Sequence, residues 1–108
     1  MVNQRTGDVL PLYPDIVDDL ERNREALDVL RAAGDVRAPW LIAHGGADET
    51  VPVNDAGELS ARAPGATRLI IEHAGHTFGI RHPWSGSTEA FDRLLEATAD
   101  WFARHLLR

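Results

Sequence analysis

Two short loops in this 108-residue chain hold the side chains that proton transfer uses. The first runs His44-Gly45-Gly46-Ala47-Asp48-Glu49-Thr50-Val51-Pro52 and the second Gly75-His76-Thr77-Phe78-Gly79. A carboxylate that accepts from one imidazole nitrogen fixes the tautomer of the ring and stabilises its protonated form. The opposite nitrogen can then take a proton from a nucleophile. Asp48 and His76 are the candidate carboxylate and imidazole, provided that the fold sets the two loops side by side.

The elements around the loops predict that it does. Ala38-Pro39-Trp40-Leu41-Ile42-Ala43 is a short apolar run without alternation, closed by Gly45-Gly46. It reads as a strand at about 39–43, covered on both faces. Thr67-Arg68-Leu69-Ile70-Ile71-Glu72 reads as a second strand, 67–72. Between them a helix from Val53 to Ala63 should bury Ala56, Leu59 and Ala63 and stop at Pro64-Gly65. A closing helix from about Ser87 to Leu106 turns Phe91, Leu94, Leu95, Thr98, Trp101 and Phe102 inward. Strand, helix, strand, helix in alternation means an α/β fold with a parallel strand pair joined by a right-handed crossover. Parallel strands put both loops at their carboxyl ends, where open α/β sheets gather functional side chains.

Upstream, Ile16, Leu20, Leu27 and Leu30 mark one helical face, with Asp18, Asp19, Glu21, Arg22, Arg24 and Glu25 on the other. The spacing predicts one helix over 14–33, opened by Pro14 and Asp15 and closed by Gly34. Residues 1–13 show no apolar period and read as an irregular lead-in. The expected organisation is a single partial domain over 1–108: the lead-in, the helix 14–33, and a strand–helix–strand–helix core over 38–108, with three helices in all.

Composition narrows the function classes. Eleven basic residues, all Arg, against 17 acidic ones leave a net charge of −6, so nothing favours nucleic acid as a partner. The absence of Cys excludes disulfides, thiolate zinc sites and Cys nucleophiles. His73, His76 and His82 fit no helical ligand spacing, and neither a metal nor another cofactor is expected. No apolar run nears the roughly 18 residues that span a bilayer, and the first residues lack the apolar segment of a signal peptide. A cytoplasmic location with no membrane partner is therefore expected. The hydrophobic content of 44% suits a globular chain.

The run Pro39-Trp40-Leu41-Ile42-Ala43-His44-Gly45-Gly46-Ala47-Asp48-Glu49-Thr50-Val51-Pro52 resembles the seventh strand and acid loop of the α/β-hydrolases, in particular the dienelactone hydrolase and acyl-peptidase-like group. The pattern there is an apolar strand, His-Gly, a short gap, Asp, then Val-Pro. Gly75-His76-Thr77-Phe78 resembles the catalytic histidine loop after the eighth strand of that group, and His82-Pro83-Trp84 through Arg108 is similar to its closing helix. The resemblance covers about Pro39 to Arg108. It implies a truncated α/β-hydrolase fold of the esterase or peptidase kind, with Asp48 as triad acid and His76 as triad base in the Ser…Asp…His order of that fold. The group's nucleophile sits upstream in a Gly-x-Ser-x-Gly elbow. Here the serines are Ser60, Ser85 and Ser87, and none stands in such an elbow. The first six strands of the family sheet and its usual oxyanion donors are missing as well. The chain is thus expected to be the C-terminal fragment of a serine-type hydrolase, a natural truncation or a segment of a longer protein, inactive alone, with the nucleophile on a second polypeptide or in the missing half.

Rival readings exist for each feature. His44-Gly45-Gly46 also looks like the His-Gly-Gly oxyanion loop of some lipases and esterases, but that loop precedes a Gly-x-Ser-x-Gly and none follows here. Taken singly, Asp48 reads as a helix cap or a turn residue holding loop amides, and His76 as an ordinary surface or core histidine. His44, His73 and His105 read as structural or exposed, and Phe91, Trp101 and Phe102 as core. Two strands rarely make a stable sheet alone, and the strand at 39–43 is too apolar for a bare edge. A homo-oligomer that pairs residues 39–43 of two chains, or a companion chain bearing the nucleophile, is expected to cover it. The alternative to an enzyme fragment is a non-catalytic oligomerising or binding remnant of the same fold.

Overall fold

The aliphatic run after Pro39 and the one after Ala66 become the two strands of a parallel sheet. The computed structural model describes residues 7–106 and gives, in chain order, α1 (Asp15–Arg22), α2 (Val29–Ala33), β1 (Leu41–Gly45), α3 (Val53–Arg62), β2 (Thr67–Ile71) and α4 (Glu89–Leu106). β1 and β2 pair in register, Leu41 opposite Thr67 and Gly45 opposite Ile71. The mixture of helices with a parallel strand pair is α/β in character. The first strand sits two residues later than the sequence pattern suggested. Pro39 has no N–H for a ladder, so strand contact begins where the Trp40 carbonyl accepts from the Thr67 N–H at 2.8 Å. β2 stops at Ile71, whose carbonyl turns to accept from the Gly46 and Ala74 N–H groups.

α3 packs on both strands and on α2, α4 packs on both strands, and α3 and α4 do not pack on each other. Ile42, Ala56, Ile71 and Trp101 are buried between these elements, and Ile71 is 1% exposed. Burying such a side chain contributes roughly 1.5–3 kcal/mol. Leu41 and Ala43 look across a cavity of about 390 Å³ at Thr98, Trp101 and Phe102. Of the inward stripe expected on α4, Trp101 is buried, Phe91, Leu94 and Thr98 are half-buried, and Leu95 and Phe102 are exposed. Strands lie only about 4.8 Å apart, so a two-stranded sheet covers a narrower band than the helix offers.

The helix expected over 14–33 is two helices, which makes four in all among the described residues. Its break has a local cause. The Asn23 amide donates to the Asp19 carbonyl and to Asp19 Oδ1, while Asp28 accepts from the Arg31 N–H and caps a new helix. Such short-range bonds compete with helix propagation. Among the described residues, no other helix or strand supports the apolar face of α1, on which Ile16 is 54% and Leu20 55% exposed. Gly34 does close α2, as expected for the end of the segment. Residues 7–13 form no helix and no strand beyond an isolated β-bridge at Val9, and residues 1–6 of the expected lead-in lie outside the described residues. Among the described residues, no helix is long and apolar enough to cross a membrane.

Candidate active site

Both loops leave the same end of the sheet because the strands are parallel, and they are tied together by backbone. The Gly46 N–H donates to the Ile71 carbonyl and the Ala47 N–H to the Ala74 carbonyl, each at 2.9 Å. Gly45 permits this approach. A Cβ on it would lie 2.6 Å from the Gly75 carbonyl oxygen and closer still to that of Ala74. Only glycine tolerates a neighbouring backbone at that range. On the far side, the Thr88 hydroxyl donates to the Phe78 carbonyl and accepts from the Phe91 N–H, so the first turn of α4 anchors the histidine loop. His73 and Phe78 hold positive φ angles of 64° and 55° in that loop.

This scaffold brings the two sequence-predicted residues into contact. His76 Nδ1 lies 2.9 Å from Asp48 Oδ2. The other carboxylate oxygen, Oδ1, accepts from the Thr50 and Val51 N–H groups at 2.8 Å each. The Asp48 side chain is 3% exposed, whereas that of His76 is 40% exposed. Burial opposes the charge on Asp48, but the Val51 amide, the His76 ring and the Thr50 amide outweigh it and lower the pKa from 3.8 to about 2. Asp48 is therefore a carboxylate at neutral pH and can only accept, which places the proton of the neutral His76 ring on Nδ1. Its Nε2 is left with a lone pair, and among the described residues no side chain or carbonyl bonds to it. Asp48 thus does hold loop amides, and the same carboxylate orients the histidine.

A third residue, which sequence reasoning left among the structural histidines, belongs to the site. His44 Nε2 lies 2.8 Å from the Val51 carbonyl oxygen and 3.4 Å from Asp48 Oδ2. With Asp48, His76, Val51 and Phe78 it lines a cavity of about 270 Å³. The spacing of four residues between His44 and Asp48 was visible, but a strand residue and a loop residue share no fixed geometry. A larger hollow of about 450 Å³ lies beside the histidine loop among Glu72, His73, Thr88, Glu89 and Arg93, and neither Asp48 nor His76 lines it.

The Gly46 and Ala47 N–H groups are taken by the Ile71 and Ala74 carbonyls, so neither is free as an oxyanion donor. Among the described residues, none of the three serines bonds to His76. The Ser60 hydroxyl donates to the Gly57 carbonyl within α3, that of Ser87 to Asp92, and Ser85 makes no hydrogen bond among the described residues. No three His, Asp or Glu side chains of the described residues cluster as a metal-ligand set. What the site offers chemically is an oriented imidazole backed by a buried carboxylate. Comparison of the chain with protein-family models and with curated proteins finds no match.

Proposed function

We propose that this chain supplies the acid–base half of a serine-type hydrolase centre, as the C-terminal part of an α/β-hydrolase fold acting on ester or peptide bonds. The observation that carries the reading is the 2.9 Å bond from His76 Nδ1 to Asp48 Oδ2, which leaves Nε2 bare on a half-exposed ring. In the reaction, Nε2 takes the proton of a serine hydroxyl as its oxygen attacks the substrate carbonyl. The imidazolium then gives that proton to the leaving group, and an acyl-enzyme forms. Water deprotonated by the same nitrogen releases the acid. Asp48 stays ionised throughout and holds the ring in the working tautomer. The serine comes from outside this chain, because Ser60, Ser85 and Ser87 are bonded elsewhere or unconnected to His76.

A fluorophosphonate probe should leave the isolated chain unlabelled, since loss of a triad serine costs about 10⁶ in turnover even where the oxyanion hole survives, as in subtilisin. Mixed with a polypeptide that bears a Gly-x-Ser-x-Gly elbow, the chain should support turnover of an activated ester. His76→Gln should abolish that turnover and Asp48→Asn cut it by about 10⁴, the loss a wrong tautomer causes in the serine-protease triad. Labelling of the isolated chain, or turnover indifferent to His76→Gln, would overturn the reading.

A second reading is a non-catalytic oligomerising or binding remnant of the same fold. It is favoured by the exposed apolar residues of α1 and by β1, which pairs with β2 and with no other strand among the described residues. In either reading the edge of β1 that no described strand covers is open to a second copy or to a companion chain. Light scattering at micromolar concentration should show a dimer or larger; a monomer counts against pairing between copies.

A further inference from the structure

We infer that His44 is a positioning residue: its imidazole clamps the Val51 carbonyl, and the clamp keeps one oxygen of Asp48 aimed at His76. The inference rests on the Asp48–His76 pair proposed above. It starts from the Val51 carbonyl, which can only accept, so the proton in the 2.8 Å contact sits on His44 Nε2. In their neutral forms His44 and His76 therefore carry the proton on opposite ring nitrogens around one carboxylate.

Val51 is fixed on both sides. Its N–H donates to Asp48 Oδ1 at 2.8 Å, and its carbonyl accepts from His44. Thr50 takes the same carboxylate oxygen with its own N–H. With Oδ1 held by two amides, Oδ2 is the oxygen left for His76; His44 Nε2 comes within 3.4 Å of it while its hydrogen bond goes to the Val51 carbonyl. The clamp is anchored on the more rigid partner. His44 belongs to β1, opposite Ile70, and its side chain is 14% exposed, whereas residues 48–51 belong to no helix or strand. If the clamp is lost, the Val51 carbonyl goes to water and its amide can swing away from Oδ1. The carboxylate can then rotate, and His76 loses the partner that sets its tautomer. Displacements of about 1 Å at such pairs are costly to catalysis.

The test is ¹⁵N-resolved NMR of the imidazoles in the full chain, with folding followed by circular dichroism. Wild type should show His76 as the Nδ1–H tautomer, with a downfield Nδ1 proton, and His44 as the Nε2–H tautomer. His44→Gln, whose amide nitrogen can replace Nε2 as the donor, should keep the His76 signal. His44→Leu should lose it while the chain stays folded. Should His44→Leu fail to fold, His44→Asn, whose amide stops short of the Val51 carbonyl, serves in its place. A His44 ring protonated on Nδ1 in wild type overturns the inference without any variant. So does a His76 signal that survives in the folded Leu or Asn variant, or one that is lost in the Gln variant. Asp48→Asn separates the two claims, because it should abolish the His76 signal whatever His44 does. Wild type without that signal would remove the Asp48–His76 pair itself.

Discussion

The carboxyl ends of β1 and β2 and the segment from residue 9 to residue 27 treat their side chains in opposite ways. At the sheet end a buried charge is satisfied from several directions: both oxygens of Asp48 have donors, and the two loops share backbone bonds. Along the upstream segment Val9, Tyr13, Ile16, Val17 and Leu20 face outward although they are apolar. Polar requirements are met at hydrogen-bond range by a few groups, some local (the Thr50 and Val51 amides) and one carried over from the second loop (His76). An apolar face needs a surface opposite it, and that surface can come from anywhere. The two regions therefore differ in what damage to them should do.

Ile71→Ala gives the largest expected effect. Ile71 is 1% exposed, and its carbonyl receives both Gly46 and Ala74, so a cavity there loosens the sheet and the loop junction together. Truncation of a buried Ile costs about 2–5 kcal/mol, a large part of the stability of a small domain. Urea unfolding measures it, and a cost below about 1 kcal/mol would show that this end of the sheet is not the better-built region. Gly45→Ala comes next, at about 1–3 kcal/mol for forced overpacking. The added carbon meets backbone oxygens of Ala74 and Gly75, which cannot swing aside as a flexible side chain would. The histidine loop must move, and the Nδ1 proton signal of His76 should disappear with it.

How far the sequence disclosed each region follows from the same contrast. The parallel pair was legible from Leu41-Ile42-Ala43 and Leu69-Ile70-Ile71, and the meeting of Asp48 with His76 from the position of each just beyond a strand. The start of β1 was misplaced because Pro39 looked like part of an apolar run, although it has no ladder donor. His44 was missed because its role depends on where the backbone carries the Val51 carbonyl, which spacing alone does not state. Upstream, the helical period was legible but its interruption was not. Asn23 and Asp28 break it through side-chain bonds that a period count ignores. Nor does a period say whether Ile16 and Leu20 find cover.

Acid should probe the sheet end more gently than Gly45→Ala. The folded protein holds Asp48 at a pKa of about 2 against the ordinary 3.8, so the native state binds this proton less readily than the unfolded chain does. The stability that the charge lends is complete above pH ~4 and is lost as the pH falls through ~2. The stability gap between wild type and Asp48→Asn should accordingly stay level above that range and close below it. A gap that persists at low pH would mean that the charge is not what the amides hold. Thr88→Ala should cost about 0.5–2 kcal/mol, the range for losing a helix cap. It removes the acceptor for the Phe91 N–H and the hydroxyl that reaches Phe78.

Ile16→Ala should change stability least. Its side chain is 54% exposed and α1 packs on no other element among the described residues, so truncation removes little buried area and leaves no cavity. The expected cost is within about 0.5 kcal/mol, as for ordinary surface positions. Unfolding measured at low and high protein concentration gives this small number its value. If copies pair through β1, the substitution stays near neutral at both concentrations, because the edge and not α1 carries the contact. A penalty that appears only at high concentration would mean that a second copy covers α1, and the outward apolar face would then belong to an interface.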